Sequence, residues 1–136
     1  MKIKLYQVDA FTNEVFKGNP AAICPLDQWL DDDLMQAIAI ENNLSETAYF
    51  VANDGVYDLR WFTPAAEVDL CGHATLASAH VVFVHLAPEA ESVAFDTRSG
   101  RLNVTRGDCG LLAMDLPSQP GKEIAVSEDI IMALGA

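Results

Sequence analysis

Five residues of this 136-residue chain have types suited to proton transfer and anion binding: Glu46, Asp69, Cys71, Gly72 and His73. Glu46 stands at a junction between loop and strand, in Leu44-Ser45-Glu46-Thr47-Ala48-Tyr49-Phe50. Desolvation in such an apolar setting disfavours a charged carboxylate, which is what a general acid/base working near neutral pH requires. The plainer role for this residue is a surface acid at a hairpin end. Cys71 precedes a helix start, where a thiol can be activated as a nucleophile or base. A small buried apolar residue is its plainer role. Gly72 allows a ligand close to the backbone, and the first-turn amides carry the positive end of the helix dipole, so residues 71–75 are suited to a carboxylate or phosphate. A tight turn into the helix is the alternative. His73 can serve as a helix cap, and Asp69 can accept from the backbone or orient His73.

The element that must position these groups is Cys71 to Leu86. No Asp, Glu, Lys or Arg occurs between Asp69 and Glu89, and the apolar residues fall on every side of a 3.6-residue wheel. A helix apolar all round is a buried one. A bilayer is the rival solvent. Gly72, Pro88, Thr75, Ser78 and three His residues leave about 14 residues of clean helix, or about 21 Å, short of the roughly 30 Å of hydrocarbon. The helix therefore belongs to a protein core, and His80 and His85 read as satisfied core histidines, with no carboxylate at metal spacing beside them.

Eight Lys and Arg against twenty Asp and Glu give a net charge of −12 and a pI near 4.3, a surface that repels nucleic acid and anionic lipid. A hydrophobic content of 51% suits a folded domain with a core. Cys24, Cys71 and Cys109 are odd in number, widely spaced and without a CxxC or Cys/His metal pattern, so neither a disulfide framework nor a metal site is expected. Cys24 and Cys109 read as packing residues on strands. Met1 to Asp9 contains no apolar segment of a secretory signal, and a reducing cytoplasm is the expected compartment.

Lys2 to Phe11 and Pro20 to Leu26 read as two antiparallel strands, and Asp31-Asp32-Asp33 opens a helix that Asn42-Asn43 ends. Glu46 to Ala52 and Val56 to Phe62 form a hairpin across Asn53-Asp54-Gly55, with Trp61 and Phe62 in the core. Thr63 to Asp69 is a connector. Ser92 to Thr97, Arg101 to Arg106 and Gly110 to Leu116 form a meander. So much sheet around one apolar helix predicts an α+β fold, with a mixed or antiparallel sheet wrapped around a central buried helix. Residues 1–118 form this lobe. Residues 119–136 read as a linker and a helix from Ser127 to Gly135, the opening of a second lobe that the chain does not contain.

Five ordered blocks carry a resemblance: Val8-Asp9-Ala10-Phe11-Thr12, Phe16-Lys17-Gly18-Asn19-Pro20-Ala21-Ala22, Asn43-Leu44-Ser45-Glu46-Thr47-Ala48-Tyr49, Leu59-Arg60-Trp61-Phe62-Thr63-Pro64 and Glu67-Val68-Asp69-Leu70-Cys71-Gly72-His73-Ala74-Thr75. Together they resemble the N-terminal half of the PhzF-like phenazine-biosynthesis family. The resemblance implies a diaminopimelate-epimerase-like fold of two similar lobes, each a sheet around a central helix. It also implies cofactor-independent isomerase chemistry. By the family pattern Glu46 is the acid/base that takes a proton from one carbon and returns it to another, and Gly72 and His73 hold the substrate at the helix start. A second lobe, bearing a Gly-Ser-Ala loop and an Asp, would complete the cleft.

Three readings follow. The first is an isomerase shifting a proton on a small carboxylated molecule through Glu46. The second is an amino-acid racemase or epimerase using Cys71, whose position resembles the first thiol of the epimerase branch. The third is a non-catalytic lobe that binds a ligand or self-associates as a homodimer. No cofactor, metal, nucleic acid or membrane partner is expected.

Overall fold

The structure, a computed structural model, describes residues 2–135. Its strands are β1 (Tyr6–Ala10), β2 (Asn19–Leu26), β3 (Glu46–Asn53), β4 (Val56–Phe62), β5 (Glu67–Val68), β6 (Ser92–Thr97), β7 (Gly100–Arg106) and β8 (Leu112–Met114). The helices are α1 (Asp32–Asn42), α2 (Gly72–Val81) and α3 (Glu128–Leu134). One mixed sheet runs β1-β2-β3-β4-β6-β7-β8, with β5 pairing β4 beside its junction with β6. β1 and β2 are antiparallel, as expected. β2 and β3 are parallel, which requires a crossover, and α1 supplies it.

Strand alternation separates two cores. Ala21 and Ile23 of β2, Ala48 and Phe50 of β3, and Leu59 and Trp61 of β4 pack with α2 on one face. Cys24, Tyr49 and Phe62 pack with Met35 and Ala39 of α1 on the other. Tyr49 donates its hydroxyl to the Met35 carbonyl at 2.8 Å, which satisfies a buried polar group and fixes α1 on the sheet. Asn43, in the left-handed region at φ 50°, closes α1 as expected of Asn42-Asn43. Asp54 and Gly55, with φ of 45° and 88°, make the tight turn of the β3-β4 hairpin.

The sheet curls. β1 and β8 are its two ends, yet both reach the start of α2. The ring of Phe11, just past β1, lies 6.4 Å from that of His73, and the Met114 methyl of β8 faces Gly72. A flat sheet could not bring both ends to one helix turn. Ala74, Ala77, Ser78 and Ala79 are buried and small enough to admit the strands closely. Thr75 and Ser78 are fully buried without penalty because their hydroxyls donate to the carbonyls of Cys71 and Ala74 at 2.6 and 2.7 Å.

Several expectations need correction. The helix is not enclosed on every side: Gly72 and Leu76 are half-buried and His80 and Val84 exposed, an uncovered strip at four-residue spacing. His80 and His85 are therefore not core residues. After ten α-helical residues the chain widens into a π-helical turn, Val82–Leu86, closed by the Ala87 amide on the Val82 carbonyl at 2.7 Å. The wider turn carries His85 outward to stack on Tyr6, with ring centroids 4.6 Å apart. Cys109 is exposed in a short 3-10 turn at φ 63°, not packed on a strand, whereas Cys24 is buried in β2. The connector also contains β5, held by an ion-pair cluster that spacing does not reveal. Arg60 of β4 grips Glu67 through Nε at 2.7 Å and Asp32 at 2.8 Å, with its guanidinium against the rings of Trp29 and Phe62. Arg98 joins Glu67 at 2.7 Å.

Pro117 to Val126 forms no regular element, and α3 is capped by Ser127 and closed by Gly135, as the sequence suggests. Among the described residues no helix is long and apolar enough to cross a membrane.

The packing of α2 predicts opposite outcomes for adjacent residues. Ala79→Leu, on the fully buried side, should overpack the curl and destabilise the chain by about 1–3 kcal/mol. His80→Ala, on the uncovered strip, should stay within about 0.5 kcal/mol. Urea unfolding midpoints of the two variants check this directly.

Candidate active site

Glu46 is the first residue of β3 and is paired with Ala21 of β2. Alternation puts its side chain on the same face as Ala48 and Phe50, toward α2. Its backbone is pinned from both sides. Ser45 donates its hydroxyl to the Asn19 side-chain oxygen at 2.9 Å, while the Asn42 amide donates to the Thr47 hydroxyl at 3.1 Å. The carboxylate itself serves neither tether.

His73 is the second residue of α2. Cys71 precedes the helix in extended conformation, with φ −144° and ψ 113°, and no side-chain hydrogen bond caps the first turn. The geometry brings Glu46, Cys71 and His73 together, with one donor atom from each lying within 4.8 Å of the others. His73 Nε2 lies 3.1 Å from Glu46 Oε2, and its Nδ1 lies 3.4 Å from Cys71 Sγ. The His73 and Glu46 side chains are only 9% and 17% exposed. Despite their closeness, Nε2 and Oε2 are off the line of a hydrogen bond, and neither has a directed partner among the described residues. An unpartnered buried polar atom costs about 1–3 kcal/mol, and here two such atoms face each other.

Burial pushes the Cys71 thiol up to about 11. The amides of Ala74 and His73 favour a thiolate, but desolvation and the neighbouring Glu46 carboxylate outweigh them. The sequence-based expectation of an activated, low-pKa thiol at the helix start is corrected on this ground. Asp69 is also reassigned. Its side chain is 75% exposed and 3.7 Å from Arg98, and its carbonyl accepts from the Ser99 hydroxyl. Both ring nitrogens of His73 face other residues, so Asp69 does not orient it.

Gly72 sits at the half-buried mouth of the helix. A Cβ there would meet only the Met114 methyl at 3.7 Å, an ordinary contact, and the backbone is not in the left-handed region. Nothing in the surrounding fold demands glycine at this position. Glu46, Cys71 and His73 are the three metal-type donors that converge among the described residues. A cation held there would need a sulfur that burial keeps protonated and would lack the fourth protein ligand of a structural zinc site.

Phe11 belongs to the first of the five shared blocks, and its type gives it no obvious chemistry. It is 72% exposed and stands beside His73. It also lines a groove of about 880 Å³ that runs past Thr12, Leu76, Ala77 and His80 to Cys109 and Leu112. Its signal in the sequence is an aromatic residue directly after a strand, which alternation alone cannot assign to core or surface. Neither this groove nor a second one of about 650 Å³, between Lys2, Lys4, Tyr57 and Leu86, is lined by Glu46, Cys71, Gly72 or His73.

Residues 8–133 match the PhzC-PhzF family, described as phenazine biosynthesis-like proteins. A Pseudomonas aeruginosa protein named as an uncharacterized isomerase is 55% identical over 136 residues, covering 99% of this chain and 52% of the relative. A PhzF-family phenazine biosynthesis protein of Enterococcus faecalis has a crystal structure that superposes with a TM-score of 0.88 at 48% identity. That match covers 99% of this chain and 52% of the other. The structure of a predicted epimerase from Pseudomonas aeruginosa matches with a TM-score of 0.69 at 25% identity, over 80% of this chain and 40% of that one. The chain thus spans about half the length of the first two relatives. The curled sheet around α2 accordingly has counterparts in solved structures, and the chain belongs to the PhzC-PhzF family of phenazine biosynthesis-like proteins.

Proposed function

We propose that this chain carries the proton-shifting half of a cofactor-independent isomerase site, with Glu46 as the general acid/base and a small carboxylated molecule as substrate. The reading rests on one observation: Glu46 Oε2 and His73 Nε2 are buried 3.1 Å apart, and among the described residues neither has a directed hydrogen-bond partner. Polar atoms kept unsatisfied inside a fold mark a place where a reacting group completes them. The start of α2 supplies the electrostatics for a substrate carboxylate, since its first turn has no side-chain cap and its dipole is positive there. Glu46 would remove a proton from one carbon and return it to another on the same face, and His73 and the backbone at Gly72 would hold the carboxylate. A second lobe would close the site. The isomerase name of the Pseudomonas aeruginosa relative supports this class of chemistry.

Racemisation makes a different geometric demand. Two bases on opposite faces of one carbon, each about 3–3.5 Å from it, stand roughly 6–7 Å apart. Glu46 and Cys71, with donor atoms within 4.8 Å of each other, are too close to be that pair, so a racemase using Cys71 would draw its second base from the other lobe. A single base on one face suits a shift of a proton along the substrate.

Three outcomes test the reading. With the longest chain that carries this sequence, in D2O and with a panel of small carboxylic acids bearing an acidic C–H, mass spectrometry should detect deuterium incorporation. Glu46→Gln should lower that rate by about 10²- to 10⁴-fold, and an unchanged rate removes Glu46 from the role. Gly72→Ala should fold as well as the parent, because the fold leaves room for the methyl. Its KM for the same acid should nevertheless rise, and an unchanged KM means that no ligand approaches the backbone there. The S–H stretching band of Cys71, identified by its loss in Cys71→Ser, should persist at pH 9, below a thiol pKa of about 11. A thiolate already formed at pH 7 would return Cys71 to the role of a base.

A further inference from the structure

The two nitrogens of His73 face different groups, and their proton can be placed by elimination. In a neutral imidazole one nitrogen donates and the other accepts. A proton on Nδ1 would leave Nε2 bare 3.1 Å from a Glu46 oxygen, two acceptors side by side in a buried place. A proton on Nε2 places a donor beside Glu46, off the line of a hydrogen bond to Oε2, and leaves Nδ1 to accept. The group that faces Nδ1 is the Cys71 sulfur at 3.4 Å, in a buried side chain whose thiol also lies within hydrogen-bond reach of the Glu46 carboxylate. A thiol can donate to that lone pair, and a thiolate could not.

We propose that Cys71 is a positioning residue: its S–H donates to His73 Nδ1, holds the ring proton on Nε2, and so keeps the nitrogen beside Glu46 a donor whether Glu46 has taken up a proton or released it. The inference rests on the reading of Glu46 and His73 given above, and it goes further in assigning a task to a residue otherwise accounted for by packing. Three observations support it. Burial keeps the sulfur protonated at neutral pH, as a donor must be. Residues two apart on a helix do not face each other, so the contact exists only because Cys71 is extended before the first helical turn. Cys24, also buried, has no such contact among the described residues and lies in the α1 core, away from the site.

The test is spectroscopic and uses the 136-residue chain labelled with nitrogen-15. Ring-nitrogen shifts of His73 should show Nε2 protonated and Nδ1 bare, and the Cys71 S–H stretch should lie at lower frequency than that of Cys24. Cys71→Ala should shift the tautomer ratio toward Nδ1–H by about 2- to 10-fold, the value of one ordinary hydrogen bond. Cys71→Ser should restore a single tautomer, which packing alone does not explain. A wild-type ring protonated on Nδ1, an S–H band no lower than that of Cys24, or a Cys71→Ala tautomer identical to the parent would each overturn the proposal. The wild-type readings decide even if Cys71→Ala fails to fold. None of these readouts needs Glu46 to act as a base, so a null result with Glu46→Gln would count against the catalytic reading while leaving this one standing.

Discussion

The site depends on the alternation of β3 between two cores. Glu46, Ala48 and Phe50 share the face toward α2, and Tyr49 belongs to the face toward α1. A slip of one residue would turn every side chain over, placing Thr47 at the mouth of α2 and Glu46 against the opposite helix. That slip is opposed on all sides. β3 is paired with β2 in one direction and β4 in the other, and Tyr49 is bonded to the backbone of α1. Displacing Glu46 would therefore disrupt two hydrophobic cores, and the position of the carboxylate follows from packing that has nothing to do with chemistry.

The second constraint is the narrowness of α2. Alanines and back-bonded Ser and Thr side chains give it a thin profile, which allows the sheet to curl until strands from both ends approach its first turn. Bulkier residues would hold β1 and β8 apart, and Phe11 and Met114 would no longer flank the helix mouth. The uncovered strip from Gly72 through Leu76 to His80 is the gap between the ends of the curl, and the groove beside Phe11 runs along it.

Local chemistry made much of this legible. The turn at Asn53-Asp54-Gly55, the left-handed Asn43, the Ser127 cap and the alternation of the meander are signals carried within a few residues, and each element stands where its signal lies. The meeting of Glu46 with His73 was not of that kind. The two residues are brought together by a crossover, a hairpin and a connector, and only ordered blocks shared with a family linked them in advance. Residue types misled where apolarity was read as enclosure. His80 and His85 lie in an uncharged run, but an open curl and a widened helical turn leave both exposed. Asp69 was placed near His73 by adjacency in sequence, whereas Arg98, from a turn far along the chain, draws its carboxylate outward. The Arg60 cluster that holds β5 was equally invisible, because its partners come from α1, β4 and β5, and from the turn after β6.

How the pair is held bears on what it is for. A buried polar pair that served stability would be expected to align its N–H with its acceptor, because buried polar groups are hydrogen-bonded. Here the alignment is missing at Nε2 and Oε2, while the surroundings are fully tied: Ser45 and Thr47 fix the backbone on either side of Glu46, and Cys71 lies against the far nitrogen of the ring. The bonds that create order are thus made by neighbours, and among the described residues two of the three buried side-chain polar atoms without partners, Glu46 Oε2 and His73 Nε2, face each other across the helix mouth, the third being Trp61 Nε1 in the core. Under the proposed function, a site built in this way would be preorganised without having to break its own hydrogen bonds when a substrate arrived, leaving binding energy available for the transition state.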